Sequence, residues 1–267
     1  MLMNLFLDAT IYIFIGIFAG LMAGILGVGG GIIVVPGLAF IFQLRQLIPE
    51  QIVMHAATGT SLAIMIFTAQ ASLRAHYKMG EILWSVFNKL WPGIVIGTVS
   101  GVVIAGFIST YWLKIIFAVF LLFVVVKMLT DVHVKRAERF PKSWLNGLVS
   151  FVIGLKSGLL GIGGGVLIIP YLGSCGVAVR KIPAVSNLCS FTVALVGTVA
   201  CMVTGRYEMA AIPYSTGYIY WPAVLWVAIP SCFIAPYGTK LNYLLPVQQL
   251  KYGFIAILFL TALKMFF

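Results

Sequence analysis

Stretches of about 20 continuously apolar residues recur along this chain, and a water-soluble fold has no place for so many of them. They lie at about 10–43, 52–73, 90–108, 111–129, 144–175, 184–204, 217–238 and 250–267, the first and fifth being long and interrupted. About 20 residues of helix cross the roughly 30 Å of hydrocarbon in a bilayer. The runs do not alternate with the period of two that barrel strands show, so helices are expected. Only 9% of the residues are charged, against about 25% in a soluble domain, too few to cover a water-facing surface. The fold class is therefore all-α, a polytopic transmembrane helix bundle. Asp8 precedes the first span and no Lys or Arg does, which speaks against a cleaved targeting segment. The net charge of +11 is the ordinary excess of basic residues on cytoplasmic loops, notably Lys135, Arg136, Arg139 and Lys142 in a hydrophilic linker. Nucleic-acid binding has no support in it.

A self-match at an offset of 134 residues divides the chain. Residues 20–38, GLMAGILGVGGGIIVVPGL, align without gaps to 154–172, GLKSGLLGIGGGVLIIPYL, with ten of 19 positions identical and six more exchanging one aliphatic residue for another. Fainter echoes pair Ile48-Pro49 with Ile182-Pro183, Trp91-Pro92 with Trp221-Pro222, and Lys127-Met128 with Lys264-Met265. The expected organisation is a first transmembrane repeat at 1–130, a charged linker at 131–143 and a second repeat at 144–267. Duplicated halves suit transporters, in which two similar bundles rock about a site at their interface.

The core of the match is a pair of glycine clusters, Gly27, Gly29, Gly30 and Gly31 in one half and Gly161, Gly163, Gly164 and Gly165 in the other, each followed by a proline, Pro36 or Pro170. Four glycines in five positions cost a helix several kcal/mol, at about 1 kcal/mol each, so the helix should break there. Within a bilayer, broken backbone is tolerated only against protein or a cavity. The freed N–H groups and the positive end of the next half-helix then form an anion site. Gly20, Gly24, Gly154 and Gly158 have GxxxG spacing and are read as close helix packing. A dinucleotide loop lacks the strand–helix context it needs, and residues 154–157 lack P-loop spacing.

These paired blocks, GxxxGILGxGGGxxxxP and GxxxGLLGxGGGxxxxP, in a short apolar chain resemble the sulfite exporter TauE/SafE family of membrane permeases. A second family-like element is the small, hydroxyl-rich helix start Ala57-Thr58-Gly59-Thr60-Ser61-Leu62, whose counterpart Ala184-Val185-Ser186-Asn187-Leu188-Cys189 has drifted. The resemblance implies transport of sulfite, sulfonates and related organic anions.

Candidate substrate-binding residues are the eight clustered glycines together with Lys156, Ser157, His55, Thr58, Thr60, Ser61, Ser186 and Asn187. An ionisable group inside a membrane segment is a functional hypothesis by default, and Lys156 stands where the first half has Met22; snorkelling to an interface is its plainer reading. His55, Thr58 and Gly59 share one helix face, as do Ser186, Asn187 and Ser190. Hydroxyls in such helices often only bond the preceding turn. The carboxylates Asp8, Glu50, Glu81, Asp131, Glu138 and Glu208 fall in loops or at span ends, so no intramembrane acid relay is visible. Cys175, Cys189, Cys201 and Cys232 lack metal-ligand spacing and are read as small core residues. No catalytic residues, metal or cofactor are expected, and the partners in view are a small anion, the lipid bilayer and further copies of the chain.

Each interrupted stretch either crosses once, making the halves parallel, or doubles back, making them inverted. With Lys156 taken as buried and set aside, the other 16 Lys and Arg divide 10 inside to 6 outside in the parallel arrangement and 12 to 4 in the inverted one. The positive-inside rule favours inversion. The expectation is thus an anion permease of a prokaryotic inner membrane, exporting with the membrane potential. A non-transporting membrane scaffold or enzyme-complex partner is the alternative.

Overall fold

The computed structural model describes residues 2–27, 29–78, 83–129, 141–177, 181–244 and 247–266. Most of the expected linker, with Lys135, Arg136 and Arg139, lies outside them, as do Val28, Glu81, Asp131, Glu138 and Arg180. The described chain is helical almost throughout. The first half contributes α1 (Leu2–Leu26), α2 (Gly31–Leu44), a 3-10 turn (Glu50–Ile52), α3 (Val53–Lys78), α4 (Trp84–Gly106) and α5 (Thr110–Leu129). The second contributes α6 (Ser143–Leu160), α7 (Gly165–Ser174), α8 (Ile182–Thr204), a hairpin of β1 (Ser215–Thr216) and β2 (Ile219–Tyr220), α9 (Trp221–Leu244) and α10 (Val247–Phe266). Among the described residues six helices are long and apolar enough to cross a membrane. The protein is a multi-pass membrane bundle.

Both interrupted stretches break where the glycines stand. α1 ends at Leu26 and α2 resumes at Gly31; α6 ends at Leu160 and α7 resumes at Gly165. Pro36 and Pro170 fall inside the second pieces, on their sixth residues, so they do not end them. The expected span at 217–238 begins instead with the hairpin, and the span at 90–108 begins earlier, at Trp84.

Two glycine-rich helix pairs hold the bundle together across the halves. Side chains at Gly16, Gly20 and Gly24 of α1 would run into the backbone of α9 at Val227, Ser231 and Ala235; those at Gly93, Gly97 and Gly101 of α4 would run into α6 at Gly147, Phe151 and Leu155. Residue numbers rise together within each pair, so α1 runs parallel to α9 and α4 parallel to α6. Gly154 and Gly158 return the contact against Ile94 and Thr98, and the GxxxG glycines serve close backbone approach. Gly97→Ala should therefore lower stability by about 1–3 kcal/mol, the usual cost of overpacking. Gly106→Ala, with no atom within 4 Å of its new methyl, should leave a detergent melting curve unmoved.

The remaining directions follow from cross-helix contacts. Thr68 bonds Ser231 and Ser72 approaches Thr239, so α3 runs parallel to α9, and hence to α1. Because α1 and α3 point the same way, the chain reverses between them. Asn187 donates to Ser72 at 2.9 Å, whereas Gly197 faces Leu62. Numbers fall on α8 as they rise on α3, and these two central helices are antiparallel.

Candidate functional site

The glycine breaks meet at the centre of the bundle, and each is held by the other half. Gly27 and Gly161 both adopt φ +66°, a left-handed conformation that glycine takes without the Cβ penalty. Gly27 rests on Pro183 of α8, and Ser186 of α8 donates to the Gly27 carbonyl at 2.8 Å. Gly161 rests on Thr58 of α3, and Ser61 of α3 donates to the Gly161 carbonyl at 2.9 Å. The breaks also touch one another, since a Cβ on Gly31 would come within 2.7 Å of the Gly161 carbonyl oxygen. Thr58 and Ser61 thus correspond to Pro183 and Ser186, an offset of 125 residues. The hydroxyl-rich elements pair two residues away from their expected register, and the Ile-Pro echo does not mark equivalent places: Pro49 precedes α3, whereas Pro183 lies on the second residue of α8.

The second break presents donors. Among the described residues the N–H groups of Gly163, Gly164, Gly165 and Val166 find no acceptor, as the first turn of a helix leaves them. Gly163, Gly164 and Val166 line a cleft of about 10 Å³ together with Lys156, Ser157 and Phe120, enough for one water-sized group. Ser157 gives its proton to the Ile153 carbonyl at 2.7 Å. Lys156 is exposed, which corrects the expectation of a buried charge. Residue 156 falls on the outward face of α6, and its ammonium lies 5.9 Å from the centre of the Phe123 ring, whose other neighbour is Lys127 at 6.0 Å.

Around the first break the polar groups are buried. Gly29 sits against Met65 of α3 and Ser190 of α8. Ser190 Oγ and Asn187 Oδ1 are both buried without a partner among the described residues. With Ser72, Thr68, Ser231 and Thr239 they form a polar seam between α3, α8 and α9. Four of these residues escaped the sequence reading, because single hydroxyls in apolar helices carry no signal until the facing helix is known. Ser72 and Thr68 stand four apart on α3, a spacing that marks one face.

Two expected site residues, Thr60 and His55, lie apart from the breaks, and the hydroxyl of a third, Thr58, turns away from them. Thr60 accepts the Tyr220 N–H at 3.0 Å, and the His55 ring lies 5.2 Å from that of Tyr218. His55 Nε2 bonds the Ala105 carbonyl at 3.0 Å, which ties the start of α3 to the end of α4. Thr58 turns its hydroxyl to the His55 carbonyl, leaving only its backbone and Cβ against Gly161. These groups seat the hairpin and helix ends. Cys175, Cys189 and Cys201 are buried free thiols, and Cys232 is half-buried.

Residues 12–265 match the family model described as Sulfite exporter TauE/SafE. The chain belongs to the TauE/SafE family. A probable membrane transporter protein of Haemophilus influenzae is 31% identical to it, over 94% of this chain and 96% of the relative. Another, from Methanocaldococcus jannaschii, is 30% identical over 95% and 93%. No solved structure matches. As a TauE/SafE protein the chain is a membrane transporter of permease type, and its family-defining match spans both glycine breaks and the helices that hold them.

Proposed function

We propose that this TauE/SafE protein is a permease for sulfite, sulfonates and related small organic anions, that it works without catalytic chemistry, and that it exports them across a prokaryotic inner membrane between two inverted halves, 1–130 and 144–267. The observation that carries the reading is the crossed hold on the breaks, Ser186 on Gly27 and Ser61 on Gly161. It sets Gly31, the start of α2, against the second break at Gly161, four residues before α7 begins with its spare N–H groups, and a small anion at such a helix start meets partial positive charge. Inversion is supported by the antiparallel course of α3 and α8 and by the chain reversal between α1 and α3. In such an arrangement one site faces each side in turn as the halves rock.

Counterflow of labelled sulfite into proteoliposomes tests transport directly. Failure to carry any sulfur-containing anion, in well-folded protein, would favour the scaffold reading. Removing one clasp hydroxyl, Ser61→Ala or Ser186→Ala, leaves a buried carbonyl unpaired at a cost of about 1–3 kcal/mol. Each variant should melt earlier and lose flux, and unchanged flux in both would detach the clasp from function. Lys156→Met should weaken sulfite affinity by about 1 kcal/mol, the scale of an exposed charge, with Lys156→Arg close to wild type. An unaltered KM in the methionine variant would make Lys156 an interfacial anchor.

A further inference from the structure

Away from the breaks, a half-open groove of about 520 Å³ runs between α3 and α9. Because these helices are parallel, its lining falls into layers. Phe67 and Phe233 form an apolar floor, Ala71 and Pro236 continue it, and Arg74 and Lys240 close the end nearest the helix termini. Seven residues separate Phe67 from Arg74, and seven separate Phe233 from Lys240, about 10 Å along either helix. Both cations are exposed. Neither has a carboxylate partner among the described residues; Lys240 lies 5.8 Å from the centre of the Tyr237 ring. Their positions within the last two turns of α3 and α9 place them at headgroup depth, with apolar lining reaching from there toward the middle of the bilayer.

We infer that this groove binds one anionic phospholipid, its phosphate between Arg74 and Lys240 and an acyl chain along Phe67, Ala71, Phe233 and Pro236. The charge excludes neither a lipid nor a free phosphate. The apolar layer beneath the cations decides for the lipid, because a free anion has no use for it, while an acyl chain fills it and is anchored by the headgroup.

Native mass spectrometry of the purified full chain tests this, with phosphatidylglycerol as the probe, phosphatidylcholine of the same chains as the neutral control and glycerol phosphate as the chainless one. Wild type should retain one phosphatidylglycerol in preference to phosphatidylcholine. The double variant Arg74→Gln/Lys240→Gln should lose roughly 30-fold of that preference, taking about a factor of five for each basic residue at a membrane surface. Arg74→Lys/Lys240→Arg should keep it. Preference unchanged in the glutamine variant overturns the site, as does equal retention of the two lipids by wild type. Displacement of phosphatidylglycerol by an equal concentration of glycerol phosphate overturns the lipid in favour of a free anion. The last two comparisons need only the wild-type protein, so the inference can still be overturned if the glutamine variant does not fold.

Discussion

In proteoliposomes, Gly164→Leu is expected to carry less than about one hundredth of the wild-type flux while remaining folded and monodisperse. Gly164 has ordinary helical geometry, φ −58°, and the nearest atoms to a new Cβ are the ends of the Ile168 and Ile153 side chains. The substitution is therefore sterically bearable for the fold. It nevertheless sets four carbons in a cleft that admits one water-sized group, next to the free N–H groups of α7. A hundredfold loss corresponds to about 2.7 kcal/mol, within the roughly 1–3 kcal/mol that overpacking costs. Gly30→Leu should lose flux for a different reason. Gly30 holds φ +79°, and its Cβ would come within 2.9 Å of the Ala19 carbonyl oxygen, so that variant should melt earlier as well. Wild-type flux in Gly164→Leu would remove the second break from the anion path.

The other large effect concerns the driving force. With no pH gradient and no sodium, a potassium diffusion potential of 100 mV, negative inside, should raise the outward distribution of a permanently ionised sulfonate about 50-fold, the value of one charge crossing that potential, about 2.3 kcal/mol. The premise is that, among the described carboxylates, Glu50 and Glu208 lie at a helix end or in a turn and Asp8, expected ahead of the first span, falls in the second turn of α1, and that the breaks offer backbone groups and hydroxyls rather than acids. Flux that ignored the voltage and followed a pH gradient would falsify uncoupled movement, and would direct attention to the buried imidazoles His55 and His76.

The breaks were legible in the sequence because clustered glycines cost a helix so much that no packing context recovers it, and the repeat of the cluster announced two of them. The helix directions were not, since hydropathy measures depth and says nothing of which way a neighbour runs. The same limit explains Lys156: its depth was readable from its place in an apolar run, its outward face was not. Thr60 and His55 looked like path residues because hydroxyls and imidazoles stand out in apolar helices, yet the hairpin that engages them was hidden inside what read as the start of another span. The true register of the hydroxyl-rich elements emerges only from two bonds, Ser61 to Gly161 and Ser186 to Gly27, because the offset between the halves falls from 134 at the glycines to 125 there, α2 being four residues longer than α7 and the clasp lying further along α3 than along α8.

The seam between α3 and α8 pairs unlike residues at its two ends. At the offset of 125, Leu62 corresponds to Asn187 and Ser72 to Gly197, and the observed neighbours are Leu62 with Gly197 and Asn187 with Ser72. Two copies of the first half would bring Leu62 against Ser72 at both ends, and two copies of the second would bring Asn187 against Gly197 with no hydroxyl to receive its amide. Each like pairing strands a buried polar group that the unlike pairing satisfies. Pairing of α3 with α8 is thus favoured over pairing of either with a second copy of itself: split into separate polypeptides and produced together, residues 1–130 and 144–267 should choose each other over themselves.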